Sequence, residues 1–185
     1  MTRPLVLASA SPRRRDLLRE HGYTFEIDPA HTEENVASTP HETVLGNARG
    51  KAHAIARKHP AALVLGVDTE VWFAGRVFGK PADMDDALRM LRELNGRTHQ
   101  VYSGVCLAWD GGAHERTFVE ITRVHFHART DDELRAYLAR IGPLDKAGAY
   151  AAQEDDGVMI ARVEGSFSNV TGLPMEALAR ELAAL

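Results

Sequence analysis

A continuous apolar run covers residues 61–67 and is followed at once by Asp68. A run of this length without polar alternation is typical of a strand buried on both faces of a sheet. A carboxylate beside such a strand is costly unless it has a partner, and ligands of α/β sheets gather at strand ends. Asp68 is therefore a candidate to bind Mg²⁺ or to accept a proton from water. The alternative is an aspartate that caps a turn.

Helix and strand patterns alternate along the rest of the chain. Capping residues and helical periodicity predict helices over residues 11–22, 39–58, 83–96, 130–141 and 174–184. Apolar runs, alternation and glycine-containing turns predict strands over residues 4–8, 23–27, 70–73, 76–78, 98–109, 117–126 and 157–163. This mixture predicts an α/β fold with a mixed sheet. A length of 185 residues fits one domain, or one domain with two lobes.

The charge balance excludes some classes of partner. Lys and Arg total 22 against 26 Asp and Glu, a net charge of -4. A mildly acidic chain is not built to coat nucleic acid or an anionic membrane, so an anionic ligand needs a local cluster of cations. The single cysteine, Cys106, permits no internal disulfide and is expected to be a small core residue. No apolar run has the length of a membrane span, and we expect a cytoplasmic protein.

The segment LASASPRR at residues 7–14 joins a predicted strand to a helix start. Free backbone N–H groups and the positive end of the helix dipole gather at such a turn. Arg13 and Arg14 oppose that dipole, and a bound polyanion would remove the conflict because guanidinium groups match phosphate oxygens. The segment predicts either a phosphate site or a solvated basic helix start.

Two further segments offer polar groups to a ligand. Residues 75–81 resemble a Walker A loop only superficially, because the glycines are one residue too close and Pro81 replaces the Ser or Thr that binds Mg²⁺. Lys80 is a candidate phosphate contact or a surface lysine in a turn. In residues 145–153, Gln153 is either a reader of a base edge or an exposed glutamine in a close-packed loop.

Taken together, these segments resemble the Maf family, described as septum formation inhibitors and as nucleotide pyrophosphatases. The matching pieces run in order along nearly the whole chain: LASASPRR at 7–14, NARGKA at 47–52, LGVDT at 65–69, GKP at 79–81, LNGRTHQVYSGV at 94–105, DKAGAYAAQ at 145–153 and SNVTGLP at 168–174. The resemblance implies a single domain over residues 1–185, with a fold like that of inosine triphosphate pyrophosphatases. In it, an elongated mixed sheet flanked by helices forms two lobes around a central cleft. It also implies a homodimer and a divalent cation, Mg²⁺ or Mn²⁺.

The resemblance also implies roles for individual residues. Asp68 is the catalytic acceptor and, with Glu34, the metal ligand, although the neighbouring Glu33 leaves that second assignment ambiguous by one residue. The phosphate shell is implied to be Ser9, Arg13, Arg14, Lys51 and Lys80. The discriminating positions are Arg13, Thr69 and Gln153, and all three match the subgroup that resembles dTTP/UTP pyrophosphatases. Glu70 departs from the family, which continues with apolar residues there.

These roles imply metal-assisted attack of water on the α-phosphate of dTTP, UTP or modified pyrimidine nucleotides, giving a monophosphate and pyrophosphate. An alternative within the family is a pyrophosphatase for 7-methyl-GTP or for a broad range of modified nucleotides. Thr69 argues against it, since that subgroup usually has Gln after the catalytic Asp. An alternative of another class is a nucleotide-binding regulator of cell division that needs no turnover.

Overall fold

The structure is a computed structural model that describes residues 3–185. Its helices are α1 (Pro12–Glu20), α2 (Pro40–Ala56), α3 (Met84–Leu94), α4 (Asp131–Ile141), α5 (Phe167–Thr171) and α6 (Met175–Ala183). Its strands are β1 (Leu5–Leu7), β2 (Phe25–Ile27), β3 (Leu63–Phe73), β4 (Arg76–Phe78), β5 (Thr98–Trp109), β6 (His114–Phe126) and β7 (Ile160–Glu164). No helix among these residues is both long and apolar enough to cross a membrane.

All seven strands form one sheet in the order β2-β1-β3-β5-β6-β7, with β4 paired to β3. Strand β1 is parallel to both β2 and β3, whereas β3 with β4 and β6 with β7 are antiparallel. The predicted α/β fold with a mixed sheet flanked by helices is therefore confirmed. The central cleft stays a prediction.

The chain divides into two units. The first contains Met1–Thr69, Ser103–Glu120 and Gly172–Leu185, and the second contains Glu70–Tyr102 and Ile121–Thr171. Strands β3, β5 and β6 each contribute residues to both units. The boundary on β3 lies just after Asp68, the residue singled out from the sequence.

One expectation about β3 was wrong. The sequence pattern ended a strand at residue 67 and began another at residue 70, but β3 is a single strand of 11 residues that continues to Phe73. Asp68 thus lies inside the strand rather than at its end. Two consecutive polar residues, Asp68 and Thr69, suggested a break between two strands. Both stay within one strand because their side chains have hydrogen-bonding partners.

In the first unit, alternating residues of β1 and β3 build a core on each face of the sheet. Leu5, Leu7, Leu65 and Val67 pack with buried residues of α1 and α6. On the other face, Val6 and Val64 pack with α2 through small residues, namely Ala48, Ala52 and Ala56. The second unit has its own core, built mainly from α3, α4 and the ends of the long strands.

Two glycines let α2 approach the sheet closely. A Cβ atom on Gly66 would lie 2.3 Å from the carbonyl oxygen of Ala48, and one on Gly104 would lie 2.3 Å from that of Val44. Both contacts are with backbone atoms of α2, which cannot move without shifting the helix. This close approach sets the position of the polar side chains that α2 carries toward β3.

We expect Gly104→Ala to lower the free energy of unfolding by about 3 kcal/mol, because overpacking against backbone atoms costs about 1–3 kcal/mol or more. Gly46→Ala on α2 is the matched control, since nothing lies within 4 Å of its added Cβ. It should raise stability by about 0.5–1 kcal/mol through helix propensity. Urea denaturation measures both. Equal stability of Gly104→Ala and the unchanged chain would contradict the close-packing account.

Candidate active site

A lysine and two carboxylates form the polar centre of the first unit. Lys51 Nζ lies 2.7 Å from Asp68 Oδ1 and 2.7 Å from Glu34 Oε1. Lys51 comes from α2, Asp68 from β3 and Glu34 from the irregular segment that precedes α2. The side chains of Asp68 and Lys51 are 7% and 10% exposed, but that of Glu34 is 56% exposed. The cluster is therefore buried at Asp68 and open to solvent at Glu34.

Asn47 completes the contacts of Asp68. Its side-chain amide donates to Asp68 Oδ2 over 3.0 Å, and its Oδ1 accepts from the backbone N–H of Asn35 over 2.9 Å. Asn47 thus joins β3 to the segment that carries Glu34. No role was predicted for this residue from the sequence. The available signal was its spacing of four from Lys51, which places both side chains on one face of α2.

Arg14 forms a second hub in the same unit. Its Nε donates to Gly172 O over 2.9 Å, Nη1 donates to Ser9 Oγ over 3.0 Å and to Val67 O over 3.1 Å, and Nη2 donates to Thr69 Oγ1 over 3.1 Å. Guanidinium has five N–H donors, and four of them are used in this way. Arg14 therefore connects α1 to the residues on either side of Asp68 and to the segment before α6.

Burial dominates the electrostatics of Arg14. It lowers the pKa of Arg14 from its ordinary value to about 10. The negative charge of Asp68 opposes this effect, and the positive charge of Arg13 reinforces it. Arg14 stays charged at neutral pH all the same. It thus adds a fixed positive charge beside the Lys51 cluster.

Thr69 is held from inside the first unit. Its hydroxyl lies 2.8 Å from the Ser103 hydroxyl, and it donates to Gly172 O over 3.2 Å in addition to accepting from Arg14. The side chain of Thr69 is thereby fixed next to Asp68. Its role in choosing a base stays a prediction.

The structure distinguishes the two neighbouring glutamates. Glu34 is the one that pairs with Lys51 and so lies near Asp68. Glu33 instead lines a cavity of about 230 Å³ with Asn35, Ala37 and residues of α2 from Glu42 to Gly50. The geometry therefore favours Glu34 over Glu33 as the partner of Asp68.

The contacts described above do not include the remaining predicted residues. Arg13 is partly buried on the first turn of α1, and Glu70 follows Thr69 on β3. Lys80 follows β4 and Gln153 lies in a short 3₁₀ turn (Ala152–Glu154), and both have exposed side chains in the second unit. The phosphate and base roles assigned to these residues stay predictions.

The donor set of the cluster fits a hard divalent cation. Oxygen atoms of Asp68 and Glu34 already converge on one positive group, the ammonium of Lys51. Carboxylate oxygens are the ligands that Mg²⁺ takes, and Mg²⁺ usually needs only one or two of them from the protein. Asp68 and Glu34 are the residues that would hold such an ion.

Comparison with known proteins identifies the family of the chain. The family described as Maf-like protein matches residues 4–185. A protein of Myxococcus xanthus named dTTP/UTP pyrophosphatase is 49% identical over 92% of this chain and 87% of its own length. Proteins of the same name from Gloeobacter violaceus and Carboxydothermus hydrogenoformans are 44% and 42% identical, over 99% and 96% of this chain and 96% of each relative. A match of this extent establishes the family, and the chain belongs to the Maf family.

Proposed function

We propose that this chain is a nucleoside triphosphate pyrophosphatase that converts dTTP and UTP to the monophosphate and pyrophosphate. The observation that carries the proposal is the Lys51 bridge between Asp68 and Glu34, 2.7 Å on each side. Relatives that match nearly the full chain bear the name dTTP/UTP pyrophosphatase, which supports the substrate class.

In the proposed reaction, Asp68 orients a water molecule toward the α-phosphorus and accepts its proton. The new P–O bond forms as the bond from the α-phosphorus to the bridging oxygen breaks, and pyrophosphate leaves. Lys51 and Asn47 fix the two Asp68 oxygens, so the carboxylate needs no reorganisation during the step. A Mg²⁺ or Mn²⁺ ion held by Asp68 and Glu34 would lower the pKa of water and offset developing negative charge.

Lys51 and Arg14 have few N–H donors left for a phosphate group. Lys51 uses two of its three N–H donors on carboxylates, and Arg14 uses four of its five on the protein. Each therefore offers one donor to a phosphate oxygen. Its positive charge acts mainly by electrostatic attraction of the phosphates. We assign further phosphate contacts to Ser9, Arg13 and Lys80, because phosphoryl transfer depends on positioning and electrostatics.

The choice of base is proposed to rest on Arg13, Thr69 and Gln153. These three residues match the dTTP/UTP subgroup rather than the one that prefers 7-methyl-GTP. The proposal also includes a homodimer and a cytoplasmic location, where the thiol of Cys106 stays reduced. A regulator without turnover would not require two carboxylates joined by one lysine.

Asp68→Asn should lower the rate of pyrophosphate release by a factor of about 10²–10⁴, because it removes the proton acceptor while keeping the side-chain size. The assay separates pyrophosphate from orthophosphate for dTTP, UTP, CTP, GTP, ATP and 7-methyl-GTP with Mg²⁺ or Mn²⁺. Asp110→Asn is the matched control, since its side chain is 46% exposed and pairs at the surface with Arg3. It should leave the rate unchanged.

Each outcome of this panel has a consequence. Pyrophosphate from dTTP and UTP, lost only in Asp68→Asn, supports the reaction, the site and the substrate class. Release mainly from 7-methyl-GTP keeps the reaction but rejects the base assignment. If no nucleotide yields pyrophosphate with either metal, the enzyme proposal fails in favour of the regulator.

Asn47→Ala should lower kcat/KM about tenfold or more, because a hydrogen bond to a charged group contributes about 1.5–3 kcal/mol. Asn95→Ala is the matched control. Asn95 likewise joins two groups through its side-chain amide, donating to Arg129 O and accepting from Arg129 N, both over 2.8 Å, but it contacts no carboxylate. Its removal should reduce stability without changing kcat/KM measured on folded protein. Equal activity losses in the two variants would show that Asn47 is only structural.

A further inference from the structure

Three side chains of different chemistry meet away from the Lys51 cluster. His53 comes from α2, Cys106 from β5 and Glu115 from β6, and all three belong to the first unit. His53 Nε2 lies 2.6 Å from Glu115 Oε2, and Cys106 Sγ lies 3.9 Å from the same oxygen. One nitrogen, one sulfur and one oxygen atom all lie within 4.8 Å of one another.

We propose that His53, Cys106 and Glu115 form a second cation site that binds Zn²⁺ or a similar thiophilic divalent ion. Zn²⁺ is bound by cysteine sulfur, histidine nitrogen and carboxylate oxygen, and three protein ligands with a water in the fourth position make a complete tetrahedral set. In the metal-free cluster, Glu115 Oε2 accepts from Arg49 Nε, and hydrogens from His53 and Cys106 also point at it. A single cation can replace the hydrogens of His53 and Cys106 at the same place.

The replacement balances in charge and protons. Burial raises the pKa of the Cys106 thiol to about 12, so the metal-free cysteine carries its proton. Binding transfers that proton to solvent, leaves thiolate and carboxylate on the metal, and places the remaining histidine proton on Nδ1. Arg49 pairs with both oxygens of Glu115, because its Nη2 lies 2.8 Å from Oε1 and its Nε donates to Oε2 over 3.1 Å. The Nη2 contact can stay when a cation binds Oε2, whereas the Nε contact shares that oxygen with the cation or gives way to it.

A glycine lets the turn after β5 pack closely against the histidine ring. A Cβ atom on Gly112 would lie only 2.8 Å from His53 Nδ1, and Gly112 adopts φ +92°, which favours glycine. The turn between β5 and β6 therefore lies against the Nδ1 edge of the ring while Nε2 is directed at Glu115. Preorganisation of this kind lowers the cost of ligand binding.

The site differs in chemistry from the Asp68 cluster. Residues two apart on a helix do not share a face, so His53 and Lys51 leave α2 in different directions. The Asp68 cluster offers only carboxylate oxygens as metal ligands, which suit Mg²⁺ or Mn²⁺, whereas thiolate and imidazole select zinc-like ions. The proposal is therefore independent of the reaction assigned to Asp68.

The test uses Co²⁺ as a spectroscopic probe on the folded full chain in excess Mg²⁺. The chain contains a single cysteine, so any sulfur-to-Co²⁺ charge-transfer band must come from Cys106. We expect this band to saturate at one Co²⁺ per chain and to disappear when one equivalent of Zn²⁺ is added. Binding should also raise the thermal midpoint, because the ion binds only the folded state.

Variants assign the other ligands. His53→Ala and Glu115→Gln should each weaken Co²⁺ binding by more than the roughly tenfold cost of losing an outer-shell contact. His41→Ala is the matched control, since His41 is exposed near the start of the same helix. Circular dichroism checks folding. Absence of the sulfur band in the unchanged chain would overturn the proposal. An unaltered affinity in His53→Ala or Glu115→Gln would remove that residue from the site.

Discussion

The bridge from Lys51 to Asp68 and Glu34 is the interaction on which the site depends. Asp68 is nearly buried, and a buried carboxylate without a partner would be strongly destabilising. Lys51 supplies the charge and Asn47 supplies a further donor, so the carboxylate is held in one orientation. Removing one member of a buried ion pair typically costs about 3–5 kcal/mol, because the other charge is left uncompensated. Stability and chemistry therefore share the same three contacts.

Close packing makes this bridge possible. Small residues on α2, together with Gly66 and Gly104 on the strands below, allow helix and sheet backbones to approach. At a greater separation Lys51 and Asn47 could not both reach Asp68. Arg14, which is distant in the sequence, donates hydrogen bonds to the residues on either side of Asp68. Its acceptors are the backbone oxygen of Val67 and the hydroxyl of Thr69. The position of one carboxylate is thus determined by a helix, a strand and a distant arginine.

Much of the architecture could be predicted from the sequence pattern. The predictions that failed have physical reasons. Capping signals placed α4 correctly, and the Thr130–Glu133 capping box is present in full. The strand break predicted at Asp68 is absent from β3. The local sequence does not reveal that residues distant in the chain form hydrogen bonds with the polar groups. Asn47 was overlooked because its partner Asp68 is 21 positions away. The proximity of His53 to Cys106 could not be predicted from the sequence either, because it arises only when α2 packs on β5.

Oxygen isotope transfer tests the central claim most directly. In the proposed reaction, water beside Asp68 attacks the α-phosphorus of dTTP and pyrophosphate leaves. Hydrolysis in ¹⁸O-labelled water, followed by mass spectrometry of both products, identifies the phosphorus that was attacked. We expect label in the thymidine monophosphate and none in the pyrophosphate. Label in pyrophosphate instead would mean attack at the β-phosphorus and would contradict the geometry assigned to Asp68.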